Sequence, residues 1–180
     1  YYMAFGWAQP GVAEASVIGA DLVVAGFTED GLPFADDYYV TNNSECLLRE
    51  DGSVEGVCPD TIYGRNGSAA LANDTRLVYG HRRDGVSFVR FSRPLVSKDS
   101  KHDVAVNAAR NMTVVWAIGL LRPPDSLRPY YLPLVSRGSA SAGTAFAFAK
   151  LKLSDAGSGC VGPLDADDKE DQARITSERK

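Results

Sequence analysis

The chain has 180 residues, 44% of them hydrophobic, with a net charge of −4, enough for one domain with a real core. Its Lys and Arg are scattered and form no basic stripe, which argues against nucleic-acid binding. The longest apolar run, Val114 to Leu121, is too short to span a bilayer.

Tyr1 to Ala8 reads as a strand closed by the turn signal Gln9-Pro10-Gly11. Tyr1 opens inside an apolar segment without a Met or a turn before it, as expected for a piece of a longer chain. Val17 to Val40 reads as a β-hairpin. Its first arm, to Phe27, is apolar and β-branched, Thr28-Glu29-Asp30-Gly31 is turn chemistry, and Leu32 to Val40 returns with Phe34, Tyr38 and Tyr39. Asp21 interrupts the first arm and Asp36-Asp37 the second. A carboxylate in a buried strand is costly unless paired, hydrogen-bonded or metal-bound. These acids are therefore the first candidates for function, against the plainer reading that Asp21 caps a bulge and Asp36-Asp37 are solvated.

Thr41 to Pro59 is a polar excursion flanked by Cys46 and Cys58. A disulfide there would close a small loop and contribute about 2–3 kcal/mol by restricting the unfolded chain; two free thiols are the alternative. Cys160 is left to pair elsewhere or stay free, and no Cys/His zinc spacing occurs. Thr61 to Tyr63 reads as a short strand. Thr75 to His81 and Val86 to Phe91 alternate with period two around the tight turn Arg82-Arg83-Asp84-Gly85, and Pro94 ends that hairpin. Ser97 to Ala109 reads as a polar loop. Met112 to Leu121 is the most apolar strand and is predicted to be central. Arg122 to Pro133 carries four prolines and is predicted to be irregular, Ser136 to Gly143 flexible. Thr144 to Leu153 alternates again, and the charged tail, Asp165 to Lys180, reads as a short helix or a linker without a core of its own.

Short strands with turn signals and almost no helical periodicity predict an all-β antiparallel sandwich, with a barrel as the alternative. Four N-x-S/T sequons begin at Asn42, Asn66, Asn73 and Asn111. With the Cys46–Cys58 pair they favour the secretory pathway and the extracellular or lumenal face of a membrane. Gly157-Ser158-Gly159-Cys160-Val161-Gly162 fits a dinucleotide fingerprint, but Pro163 comes straight after it and no βαβ unit has room. Asp165 to Asp168 resembles the start of an EF-hand, but Glu170 stands where that loop needs Gly. No nucleophile elbow or triad is present, so a standalone enzyme is not expected.

Several segments in order resemble a DOMON domain: YMAFGW, GADLVVAGFTEDGLPFADDYY, DGVSFVRFSRPL and MTVVWAIG. The resemblance covers about Tyr1 to Leu153 and implies an immunoglobulin-like β-sandwich, with its first strand or strands missing, and then a linker over 154–180. CVGPLDADDKEDQ resembles the segment on the C-terminal side of this domain in plant-type proteins that join DOMON to a transmembrane cytochrome b561. The implied role is an extracytoplasmic module supporting transmembrane electron transfer to a cytochrome b561 domain in the same chain, through bound haem b. The alternative is a haem-free domain that binds a metal, a small-molecule ligand or a partner, as in the domain attached to dopamine β-monooxygenase.

Haem-binding relatives ligate iron with one Met and one His. Ser16, Val17 and Ile18 stand where their Met would lie, and the loop after the Trp116 strand has no His. The remaining candidates are Met3, Met112, His81 and His102, with Tyr130 or Tyr131 as a further oxygen ligand. Met at strand positions is ordinarily core packing, and the two His read as solvated or hydrogen-bonded. The haem-free relatives imply instead a cation held by Asp21, the carbonyl of Leu22, the Asp37 position and Asp74, a set of hard oxygens suited to Ca2+.

Overall fold

In the computed structural model, residues 1–10, 16–66, 73–125, 131–133 and 145–152 are described. Their framework is a six-stranded antiparallel sheet. Its strands are β1 (Tyr2–Trp7), β2 (Asp21–Phe27), β3 (Pro33–Val40), β6 (Val57–Pro59), β9 (Met112–Gly119) and β12 (Ala145–Leu151), in the order β12-β9-β1-β2-β3-β6. Two short strands, β4 (Leu47–Leu48) and β5 (Val54–Glu55), form a ribbon inside the disulfide loop. A hairpin, β7 (Arg76–Arg83) and β8 (Val86–Ser92), lies against one face of the main sheet and makes the second layer of the sandwich.

The β2–β3 hairpin forms as its sequence predicts, with Gly31 at φ 79° in the turn. Its first arm is shorter than predicted. Val17 to Ala20 is a turn, in which the Ala20 N–H donates to the Val17 carbonyl at 3.0 Å, so the strand starts at Asp21. Along both strands the side chains alternate between faces. Leu22, Val24, Tyr38 and Val40 join Tyr2, Ala4, Val57 and Val115 in one apolar cluster. The opposite face carries Val23, Ala25 and Ala35, packed against Leu77, Val89 and Phe91 of the β7–β8 hairpin. Asp21 and Asp37 belong to that second face.

Three expectations are corrected. Thr61–Tyr63 is not a strand; Asp60–Asn66 is a 3-10 helix whose Ile62 packs on Cys46, Cys58 and Leu132. The proline-rich stretch is not wholly irregular, because β10 (Leu121–Arg122) pairs with β11 (Leu132–Pro133). The Met112 strand is interior but not the centre of the sheet: β1 and β2 hold that place, and β2 is buried along its whole length. The β7–β8 hairpin covers β2 and β3 and leaves Trp116 and Ile118 of β9 exposed. Cys46 and Cys58 form the expected disulfide, Cα atoms 4.8 Å apart. The tail, Cys160, Tyr130 and the 136–143 stretch lie outside the described residues.

A buried acidic centre at the end of the sheet

Trp7, Asp21 and Tyr39 lie side by side across β1, β2 and β3. The close approach of β1 here depends on Gly6, where an added Cβ would stand 1.9 Å from the Asp21 carbonyl oxygen. Asp21 is 1% exposed and anchors the chain that crosses this end of the sheet. Its Oδ1 accepts from Arg93 Nη1 at 2.5 Å and its Oδ2 from the Val104 N–H at 2.7 Å. The Arg93 guanidinium sits over the Trp7 ring, 5.0 Å from its centroid. Val104 and Val106 pack on Trp7 and Val114 beneath it. The polar loop therefore folds down onto the sheet because Asp21 needs partners there.

More carboxylates gather around that pair. Oxygens of Asp21, Asp37 and Asp103 lie within 4.8 Å of one another, as do those of Asp60, Asp99 and Asp103. Asp37 is 2% exposed, and neither of its oxygens has a hydrogen-bond partner. Burial pushes its pKa up to about 8, Asp21 adding to the rise and Arg93 opposing it. Burial lifts Asp60 to about 9, helped by Asp37 and Asp103, and raises Asp103 as well. Asp99 goes the other way. Burial works against its charge, but the His102 ring and the N–H groups of Lys101 and His102 outweigh it and hold its pKa low. His102 Nδ1 lies 2.8 Å from Asp99 Oδ2, and its ring stacks on Tyr63 at 4.3 Å with Tyr39 edge-on at 5.1 Å.

The residues proposed from sequence for a cation divide between the two faces and a flanking segment. Asp21 and Asp37 meet; Leu22 turns its side chain into the apolar cluster, its backbone paired with Gly6 and Tyr38. Asp74, just before β7, acts electrostatically on Asp37 and has a buried, unpartnered Oδ2, but lies outside both carboxylate triads. Asp36 faces the other way and accepts from Asn73 Nδ2 at 2.9 Å. The residues that sequence reasoning missed are Arg93, Asp60, Asp99 and Asp103.

Of the haem candidates, Met3 and Met112 stand apart. Met3 pairs with Ile118, six positions along β9 from Met112, which separates the two by about 20 Å. The Met112 sulfur accepts the Asn107 N–H at 3.0 Å. The His81 ring packs between Tyr79 and Phe88, whereas His102 belongs to the acidic centre, buried and hydrogen-bonded to Asp99, the second of the two states expected for it. Tyr131 stacks on Phe34 and accepts the Tyr38 hydroxyl through its carbonyl. Of the sequon residues, Asn73 and Asn111 are exposed and Asn42 is half-buried; nothing is described of the Asn66 side chain.

Residues 1–119 match the DOMON domain family. An Arabidopsis thaliana protein named as containing cytochrome b561, DM13 and DOMON domains is 50% identical over 178 residues, 98% of this chain. The chain spans 19% of that relative's length.

Proposed function

The chain belongs to the DOMON family, and on that premise we propose that it is a haem-free extracytoplasmic module of a cytochrome b561 redox protein, its acidic centre holding a hard cation such as Ca2+. One observation carries the reading: Asp37 is buried with both oxygens unpartnered, within ligand reach of Asp21 and Asp103. Ionised and bare, it would be an expensive buried charge. Protonated, it would gain an O–H that also needs a partner. A cation satisfies Asp37 without either penalty, and carboxylate oxygens are the ligands Ca2+ takes.

Arg93 already balances Asp21, so Asp21 serves as shared anchor and Asp37 with Asp103 as the freer ligands. The cytochrome b561 connection rests on the composition of the Arabidopsis relative. The extracytoplasmic placement rests on the Cys46–Cys58 disulfide and on exposed sequons at Asn73 and Asn111. Two features support the haem-free reading: Met3 and Met112 stand far apart, and His102 is hydrogen-bonded to Asp99. Electron transfer would then run through the cytochrome b561 domain, this module serving it from outside.

Thermal melts in Ca2+ and in EDTA test the reading. A site filled at about a hundred times its dissociation constant raises the midpoint by roughly 5–10 °C for a chain of this size. Asp37→Asn should melt higher than wild type in EDTA and respond less to Ca2+. Equal wild-type midpoints in the two buffers would remove the cation. A Soret band with sharp reduced α and β bands in the purified protein would remove the haem-free reading.

A further inference from the structure

The acidic centre holds more carboxylate than one ion requires. Asp60 opens the 3-10 helix next to the disulfide loop, is 3% exposed, and its Oδ1 has no hydrogen-bond partner. Arg93 reaches Asp21 through Nη1 alone, its Nε and Nη2 being buried without an acceptor, and His102 is bonded to Asp99. The charges that act most strongly on Asp60 are those of Asp37, Asp103, Asp21 and Asp99, all negative, and its Oδ1 takes no donor from them or from Arg93.

The neighbouring groups are built to present oxygen. Asp99 Oδ1 accepts the Lys101 N–H at 2.9 Å and the His102 N–H at 3.2 Å, while its Oδ2 meets His102 Nδ1. These contacts fix the carboxylate as outer partners fix a metal ligand. A cavity of about 240 Å³, lined by Ser97, Asp99, Lys101, His102 and Asp103 but not by Asp60, adjoins two of the three carboxylates and has room for ligating water.

We propose that a second hard cation of the Ca2+ class binds between Asp60, Asp99 and Asp103, with Asp103 bridging it to the first. This rests on the cation reading of Asp37, deepens it, and shares one ligand with it. Three oxygens mutually within 4.8 Å surround a centre no more than about 2.8 Å from each, close to the 2.3–2.6 Å of a Ca2+–oxygen contact. The sign of the charge also fits: Asp21, Asp37, Asp60, Asp99 and Asp103 outnumber Arg93 and His102 as charge partners, an excess that divalent cations would reduce.

The test is a count of bound calcium. The full chain, stripped with chelator, is dialysed to equilibrium against Ca2+ near neutral pH and analysed for metal, with near-UV circular dichroism confirming the fold of each variant. Wild type should hold two ions, Asp60→Asn one and Asp37→Asn one. Two ions retained by Asp60→Asn would overturn the second site. A single wild-type ion that is lost in Asp37→Asn but kept in Asp60→Asn overturns the second site and leaves the first. A single ion lost only in Asp60→Asn would overturn both the two-ion centre and the Asp37 site, leaving one ion held at Asp60. None at all overturns both. Should Asp60→Asn fail to fold, the wild-type count decides, since fewer than two ions sinks the two-ion centre.

Discussion

The two faces of the β2–β3 hairpin are made by the same pair of strands and do opposite things. On one, Leu22, Val24, Tyr38 and Val40 meet Tyr2, Ala4 and Val115 in a cluster that is apolar throughout. On the other, the same alternation delivers Asp21 and Asp37 to a buried end where Asp60, Asp99 and Asp103 also arrive. The first face gains stability from area removed from water. The second gains the same way at Val23, Ala25 and Ala35, but at its acidic end it loses stability by burying charge and recovers it only through partners. Stability and binding are therefore separable here by a step of one residue along a strand.

Arg93→Met should break the comparison most severely. It removes the guanidinium that Asp21 relies on, leaves that carboxylate buried, and is expected to cost about 3–5 kcal/mol in EDTA by urea denaturation. Ca2+ should return part of that loss, because an ion can take over the neutralisation. An equal loss in both buffers would mean that Arg93 acts only by packing on Trp7. Leu22→Ala is the control on the other face. It opens a cavity in the apolar cluster, costing about 2–4 kcal/mol, and keeps the backbone carbonyl. Its Ca2+ response should match wild type; a diminished one would couple the two faces.

Much of the apolar face was legible in the sequence, and only half of the acidic one. Period-two alternation predicts the β7–β8 hairpin, and Asp84 and Gly85, with φ of 50° and 79°, take the turn that their types favour. Asp21 and Asp37 stand out because each is a charge inside an apolar strand. Thr61 to Tyr63 misled because three residues carry no period, so β propensity alone decided against a 3-10 turn. Arg93 was hidden behind Pro94, which marks the end of a strand and says nothing of where the preceding side chain goes. Asp99 and Asp103 went unremarked in a segment that reads as a polar loop, because loops usually run over the surface; here the loop is drawn inward by Asp21. The available signal was the unanswered charge itself: a buried Asp21 demanded a cation from some other segment.

The mildest test of the contrast is pH. With folded pKa values near 8 for Asp37 and near 9 for Asp60, against about 3.9 in the unfolded chain, the folded state keeps protons that the unfolded state gives up across that window. Fewer protons on the unfolded chain make stability fall as pH rises. Below about pH 4 both states are protonated and these groups contribute no slope; above the folded values the loss is complete and levels off. In EDTA the melting midpoint should therefore drop between weakly acidic and weakly alkaline buffer. The apolar face has no titrating group that would counter this trend. Saturating Ca2+ should flatten the profile, since an ion makes the ionised carboxylates the favoured folded form, and the Asp37→Asn/Asp60→Asn double variant should be flatter than wild type in EDTA, with Asp103 left to titrate. A wild-type midpoint that climbs with pH in EDTA would mean that these carboxylates are already answered by partners within the fold, and would return the acidic face to the same footing as the apolar one.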